Sequence, residues 1–234
     1  MVKRYTNMKV WSFRFLRSMK RSRGKSLIPK DITLRDLQSM ALFNQALNLN
    51  LKALLCDNYE DFCEVVHDCI DEAVDNLQKN RNFFQGMNEN QITINIIHQL
   101  TNYGLGARFE ANRGGHCDVV VENRFNHTWL GEAKIDRNIS WVHDGFHQLN
   151  SRYISGGKKD TSGGILIYCL HHGVADFMKR WRERLMNDTN YSLSWEQCQR
   201  DLNAFYSYHS HRETSRSIKV RHIPVQLRWD PGKS

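Results

Sequence analysis

The run Trp129-Leu130-Gly131-Glu132-Ala133-Lys134-Ile135 holds a carboxylate and an ammonium two residues apart. On a β-strand that spacing sends both to one face while Ala133 points to the other. The apolar neighbours mark a central strand, where burying both charges is costly unless they are paired or hold an ion. Upstream, Asp118 opens a second apolar run, Val119-Val120-Val121, about one hairpin's length before Glu132. Adjacent strands would bring the two carboxylates to the same end of a sheet. There they would repel and raise one pKa unless a cation sits between them. Oxygen ligands in an incomplete protein cage suit Mg²⁺ or Mn²⁺.

Glu89 is the third acidic group, at the start of a helix expected from Glu89 to Tyr103. At about 100° per residue, Ile92, Ile96 and Tyr103 fall within about 60° of it, so Glu89 projects on the core-facing side. It either completes the metal site or simply favours the positive end of the helix dipole. His116 shares a strand face with Asp118 and is either a substrate or metal-shell contact or a turn histidine. Gln148, on the following helix, could orient Lys134 or bind a phosphate, or be a surface glutamine. Arg108, Arg113, Arg137, Arg152, Lys158 and Lys159 are expected near the site, the last two in the glycine-flanked loop from Ser155 to Gly164, as nonspecific phosphate-backbone contacts. His143 and His147 have a spacing that can bind zinc, but no further histidine or cysteine completes a set nearby. The pair His171-His172 reads as structural or as a phosphate contact.

The elements that must position these groups follow from periodicity. Thr33 with Asp36 resembles a capping box ahead of a leucine-rich helical run from Leu34 to about Leu55. A second helix is expected from about Tyr59 to Leu77, making a helical hairpin whose acidic face (Glu64, Asp68, Asp71, Glu72, Asp75) reads as solvated surface. After the helix at Glu89 come strands over Ala107–Asn112, Cys117–Glu122 and Thr128–Asp136. A helix follows over about Val142–Ile154, then a strand over Gly163–Leu170 and an amphipathic helix from Asp176. Trp195–Tyr206 reads as one more helix and Ser217–Trp229 as a late strand. The parse is an α/β chain in three parts: a basic arm (1–30), a helical hairpin extension (31–85) and a core with C-terminal additions (86–234).

Composition limits the function classes. The 234 residues carry 33 Lys+Arg against 25 Asp+Glu, a formal charge of +8, with 40% hydrophobic positions, which excludes a disordered or fibrous protein. Ten of the basic residues and no acidic one fall within the first 30, interleaved with Trp11, Phe13 and Phe15. Such a field attracts polyanions, and nucleic acid is the first partner to consider. No segment approaches a membrane span, and the N-terminus lacks the apolar core of a secretory signal, so a cytoplasmic location is expected. The six cysteines form no CxxC pair and read as free core thiols.

Taken together, the helix with Glu89, the hairpin with Asp118, the triplet Glu132-Ala133-Lys134 and the following helix resemble the PD-(D/E)XK nuclease superfamily. The resemblance covers roughly residues 88 to 188; Cys117 stands where the name has proline. Gln148 and Tyr153 resemble the QxxxY motif of its RecB-like branch, with a separation of five residues rather than four. The resemblance implies a restriction-endonuclease-like αβββαβ core and metal-assisted phosphodiester hydrolysis, with DNA as substrate, in restriction, phage defence or repair. It implies that Asp118, Glu132 and the Ala133 carbonyl hold Mg²⁺ (or Mn²⁺), that Glu89 reaches the ion directly or through water, and that Lys134 orients the attacking water or neutralises growing charge. The alternative is a catalytically silent nucleic-acid-binding or interaction module with the same fold. In either case the N-terminal helices are candidates for docking a protein partner or a second copy.

Overall fold

The computed structural model describes residues 31–112, 116–230 and 232. The basic arm 1–30 and the turn Arg113-Gly114-Gly115 lie outside the described residues. The described residues divide into two units, 31–43 and 44–232. In the first, helix α1 (Leu34–Ala41) begins at the capping box read from the sequence: Asp36 N donates to Thr33 Oγ1 at 3.2 Å and Thr33 N donates to the Asp36 carboxylate at 3.0 Å. The leucine-rich run does not continue as one helix to Leu55. Asn44 starts a new helix, α2 (Gln45–Leu55), by accepting from Leu47 N at 2.9 Å, a side-chain cap that competes with an unbroken helix.

The second unit continues with α3 (Tyr59–Lys79), α4 (Glu89–Asn102), β1 (Gly106–Asn112), β2 (His116–Glu122), β3 (Thr128–Ile135) and α5 (Ile139–Gln148). A π-helical turn (Leu149–Tyr153) follows, then β4 (Ser162–Cys169), α6 (Val174–Met186), β5 (Ser194–Gln197), β6 (Phe205–Ser210) and β7 (Ser217–Gln226). The seven strands among the described residues form one sheet in the order β1-β2-β3-β4-β7-β6-β5. β3, β4 and β7 are mutually parallel and the remaining neighbours antiparallel. The α/β class and the sequence α4-β1-β2-β3-α5-β4 agree with the pattern read from the residues.

Alternation along β3 and β4 builds two cores. Trp129, Ala133, Leu166 and Tyr168 face a cluster made with Phe62, Val66 and Ile70 of α3 and Ile92 and Ile96 of α4. Leu130, Ile165 and Ile167 face the other way, onto Val142 and Phe146 of α5 and Phe177 and Trp181 of α6. Every residue of β3 and β4 is buried, as parallel strands covered on both faces should be. All six cysteines are free and buried, as expected.

Three expectations need correction. Trp195–Tyr206 is not a helix: β5 and β6 pair antiparallel from Ser194↔Tyr208 to Gln197↔Phe205, around a turn in which Asn203 N donates to Asp201 Oδ1 at 2.8 Å. Aromatic residues in alternation favour a pleated, half-buried surface over a helix face. The boundary at residue 86 separates no domains, because α3 spends its apolar stripe on the same core as β2, β3 and β4. That stripe is therefore not free to dock a partner. The acidic face of α3 is also more than a solvated surface: Arg200 reaches Glu64 and Asp68, each at 2.6 Å, and Arg221 donates to Asp71 at 2.7 Å.

Candidate functional site

β2 and β3 pair in a register that ends at Val119↔Gly131. One step further, Asp118 and Glu132 stand across from each other on the face that carries Val120 and Leu130. Past the last backbone pair the Asp118 carboxylate takes the ladder's place, accepting from Ala133 N at 2.9 Å. Lys134 lies two residues beyond Glu132 on the same face, and its Nζ is 2.7 Å from Glu132 Oε1, 3.6 Å from Glu89 Oε1 and 4.0 Å from Asp118 Oδ2. Glu89 arrives from the first turn of α4, where Asn88 caps the helix. Its Oε2 accepts from Ile135 N at 2.7 Å and from Trp141 Nε1 at 3.2 Å. Three carboxylates thus converge on one ammonium.

The electrostatics are unbalanced. The side chains of Glu132 and Lys134 are 3% and 7% exposed, against 16% for Asp118 and 19% for Glu89, so the pair lies beneath a rim that solvent reaches. Burial, and then the Asp118 charge opposite, pushes the Glu132 carboxyl up to about 7. Burial also raises Asp118, against the pull of the Ala133 N–H and Lys134. Burial works against the Lys134 ammonium, but Glu132 beside it outweighs that, and its pKa rises. Glu132 Oε2 is buried with no hydrogen-bond partner among the described residues. A buried carboxylate oxygen left unpaired is expensive, and three carboxylates against one ammonium leave about two negative charges uncompensated when all are ionised. An all-oxygen set with that excess fits a hard divalent cation, which Asp118, Glu132 and the Ala133 carbonyl could hold with Glu89 beside them.

Two positions that sequence reasoning passed over complete the arrangement. Trp141, in the first turn of α5, holds Glu89 through its ring nitrogen, and Lys134 Nζ and the Arg137 guanidinium each lie 5.5 Å from its ring centre. Gly145, on the same helix, lets α5 lie directly on the site: a Cβ there would stand 2.8 Å from Lys134 Cε and 3.3 Å from Glu132 Cγ. No periodicity marks either residue, because both contacts arise only when α5 packs onto β3.

The residues expected from the sequence to contact nucleic acid sort differently. Arg137 is at the site, beside Trp141. His116 is exposed at the start of β2, and its carbonyl accepts from Tyr153 Oη at 3.0 Å. Gln148 is half-buried where α5 meets the π turn, and Arg152 is exposed on that turn. Arg113 lies outside the described residues. Arg108 pairs with Glu122, at the end of β2 remote from Asp118. Lys158 and Lys159 are not beside the site. Thr128 N donates to Lys159 O at 2.8 Å and Lys159 Nζ to Phe125 O at 2.7 Å, so this loop meets the start of β3, about 20 Å along the strand from Lys134. The reason is topological: β4 runs parallel to β3, so the chain enters it at the end where β3 begins.

The π turn bears on the spacing of Gln148 and Tyr153. Ile154 N donates to Leu149 O at 3.0 Å, an i→i+5 bond. A π turn absorbs one residue more than an α turn, so it accommodates a five-residue separation where a regular helix would accommodate four. Tyr153 is thereby directed to the first residue of β2, two positions before Asp118.

No helix among the described residues is long and apolar enough to cross a membrane. Comparison of the chain with family models, with curated proteins and with solved structures finds no match in any of the three.

Proposed function

We propose that this chain is a metal-dependent nuclease of the PD-(D/E)XK kind, hydrolysing phosphodiester bonds in nucleic acid, with DNA as the substrate the family resemblance favours. The observation that carries the reading is the convergence of Asp118, Glu132 and Glu89 on Lys134 with Glu132 Oε2 left unpartnered. Bound Mg²⁺ or Mn²⁺ would supply Lewis acidity and a water acidified enough to attack phosphorus. Asp118 and Glu132 would present oxygen ligands from a rigid pair of strands, and Glu89, fixed by Ile135 N and Trp141, would add a third carboxylate at the rim. Lys134 is placed to hold a water by hydrogen bond or to neutralise charge growing on a phosphate oxygen, roles suited to a compact ammonium. Arg137 at the rim would position the backbone without reading sequence. The α4-β1-β2-β3-α5-β4 order and the π turn carrying Tyr153 support the same assignment.

The test is incubation of the purified chain with supercoiled, linear and single-stranded DNA, and with RNA, in Mg²⁺, Mn²⁺ or EDTA. Cleavage that requires the ion and is lost in Glu132→Ala and Lys134→Ala is expected. Ion-dependent cleavage unchanged by both substitutions would defeat the assignment, and binding without cleavage would favour a silent module of the same fold.

A further inference from the structure

The geometry points to a second metal site, for a divalent transition-metal ion, formed by His143, His147 and Asp188. It lies apart from the carboxylates on β2 and β3 and does not rest on the nuclease reading. His143 and His147 are one helical turn apart on α5, about 40° from each other around the helix axis, and Gly145, the residue against Lys134, lies between them in sequence on the opposite face. Asp188, just past the end of α6, points its Oδ2 at both imidazoles: 2.7 Å to His143 Nε2 and 3.0 Å to His147 Nε2, with the two ring nitrogens 3.2 Å apart. His143 and Asp188 are buried, their side chains 11% and 3% exposed, while His147 at 30% leaves the cluster open to solvent on one side.

Three observations favour a metal over a simple hydrogen-bonded cluster. Two edges of the donor triangle, 3.0 and 3.2 Å, approach the separation of about 3.3 Å that ligands adopt around a four-coordinate ion with bonds of 2.0–2.1 Å, and the 2.7 Å edge is a hydrogen bond that an ion would replace by a shift of about half an ångström. The outer contacts are those that metal ligands use. His147 Nδ1 meets Tyr191 Oη at 3.2 Å, leaving Nε2 for the ion, and Asp188 Oδ1 accepts from Asn190 N at 2.9 Å and Asn190 Nδ2 at 2.8 Å, leaving Oδ2 to the two imidazoles and the ion between them. Finally, two imidazoles and one carboxylate suit Zn²⁺ and its transition-metal neighbours rather than Mg²⁺, so the two sites differ in chemical class. Three protein ligands and an exposed side leave room for a water as the fourth. Such an ion would tie α5, which packs on the carboxylate site, to the segment after α6.

The experiment is calorimetric titration of the EDTA-stripped full chain with ZnCl₂ in excess Mg²⁺, repeated with Co²⁺ to read the visible absorption of a nitrogen-ligated ion. One equivalent of Zn²⁺ is expected to bind in the unsubstituted chain and in Asp118→Asn. Affinity should fall at least about 100-fold in His147→Gln, a half-exposed position, and in Asp188→Asn. Tyr191→Phe should weaken it by about 10-fold, the lower range for an outer-shell partner. Absence of Zn²⁺ binding, or binding lost in Asp118→Asn and kept in His147→Gln and Asp188→Asn, would overturn the site.

Discussion

Two clusters of acidic residues in this molecule use the same side chains to opposite ends. On α3, Glu64, Asp68 and Asp71 meet Arg200, Lys52 and Arg221 at 2.6–3.3 Å. Glu64 is held well below the usual carboxylate range by His67 beneath it and by Arg200, the closer partner. Burial raises Asp68, but Lys52 and Arg200 overcome it and the net shift is downward. At the ends of β2 and β3, one ammonium faces three carboxylates and the shifts of Asp118 and Glu132 run upward. The first cluster has cations enough of its own and joins α3 to the β5–β6 turn; the second lacks positive charge that the described residues do not supply. A carboxylate cluster thus becomes a candidate site by its deficit, not by its count of acidic residues.

The contrast is sharpest in Glu132→Gln. Cleavage should fall roughly 10³-fold, yet the folded protein should gain about 3 kcal/mol at pH 8 without divalent ions. The sign follows from the carboxyl ionising near 7 in the fold against 4.5 as its ordinary value. Ionisation costs the folded state more as pH rises through that window and the cost is complete above it, whereas the amide carries none. Urea melts at pH 8 and pH 4 check this: the gain should vanish at pH 4.

Lys134→Met should reduce cleavage about 10²-fold and destabilise the metal-free protein by about 3 kcal/mol, since it strands buried carboxylates. Added Mn²⁺ should restore more stability to this variant than to the unsubstituted chain, a comparison that thermal melts read directly. Gly145→Ala probes positioning alone. Its Cβ would press on Lys134 and Glu132, so kcat should fall about 10-fold or more with a loss of about 1–2 kcal/mol from overpacking. The smallest effect is on α3: Arg200→Ala should leave cleavage within about twofold and cost about 1 kcal/mol, diminishing in high salt. Loss of activity there with an intact fold would erase the distinction between the clusters.

Much of the candidate site was legible because it depends on local periods. The two-residue alternation puts Glu132 and Lys134 on one face, the hairpin brings Asp118 opposite, and the helical period turns Glu89 inward. What the sequence concealed depends on packing between elements. Trp141 and Gly145 acquire their roles only where α5 crosses β3, and Asp188 joins His143 and His147 only because α6 ends beside α5. The misplacement of Lys158 and Lys159 came from nearness in sequence, which a parallel strand pair reverses. Trp195–Tyr206 was misread because a short stretch of apolar and polar residues fits either period, and the tight turn at Asp201 decides for strands.

The most direct measurement is a crystal structure of the chain with Mn²⁺, located by its anomalous scattering, in a chelator-free buffer without Mg²⁺ and with a short DNA. An ion ligated by Asp118, Glu132 and the Ala133 carbonyl, with Lys134 Nζ turned from Glu132 toward water or phosphate, is the predicted result. No ion at these carboxylates, with Lys134 still paired to Glu132 and Glu132 Oε2 still bare, would contradict it.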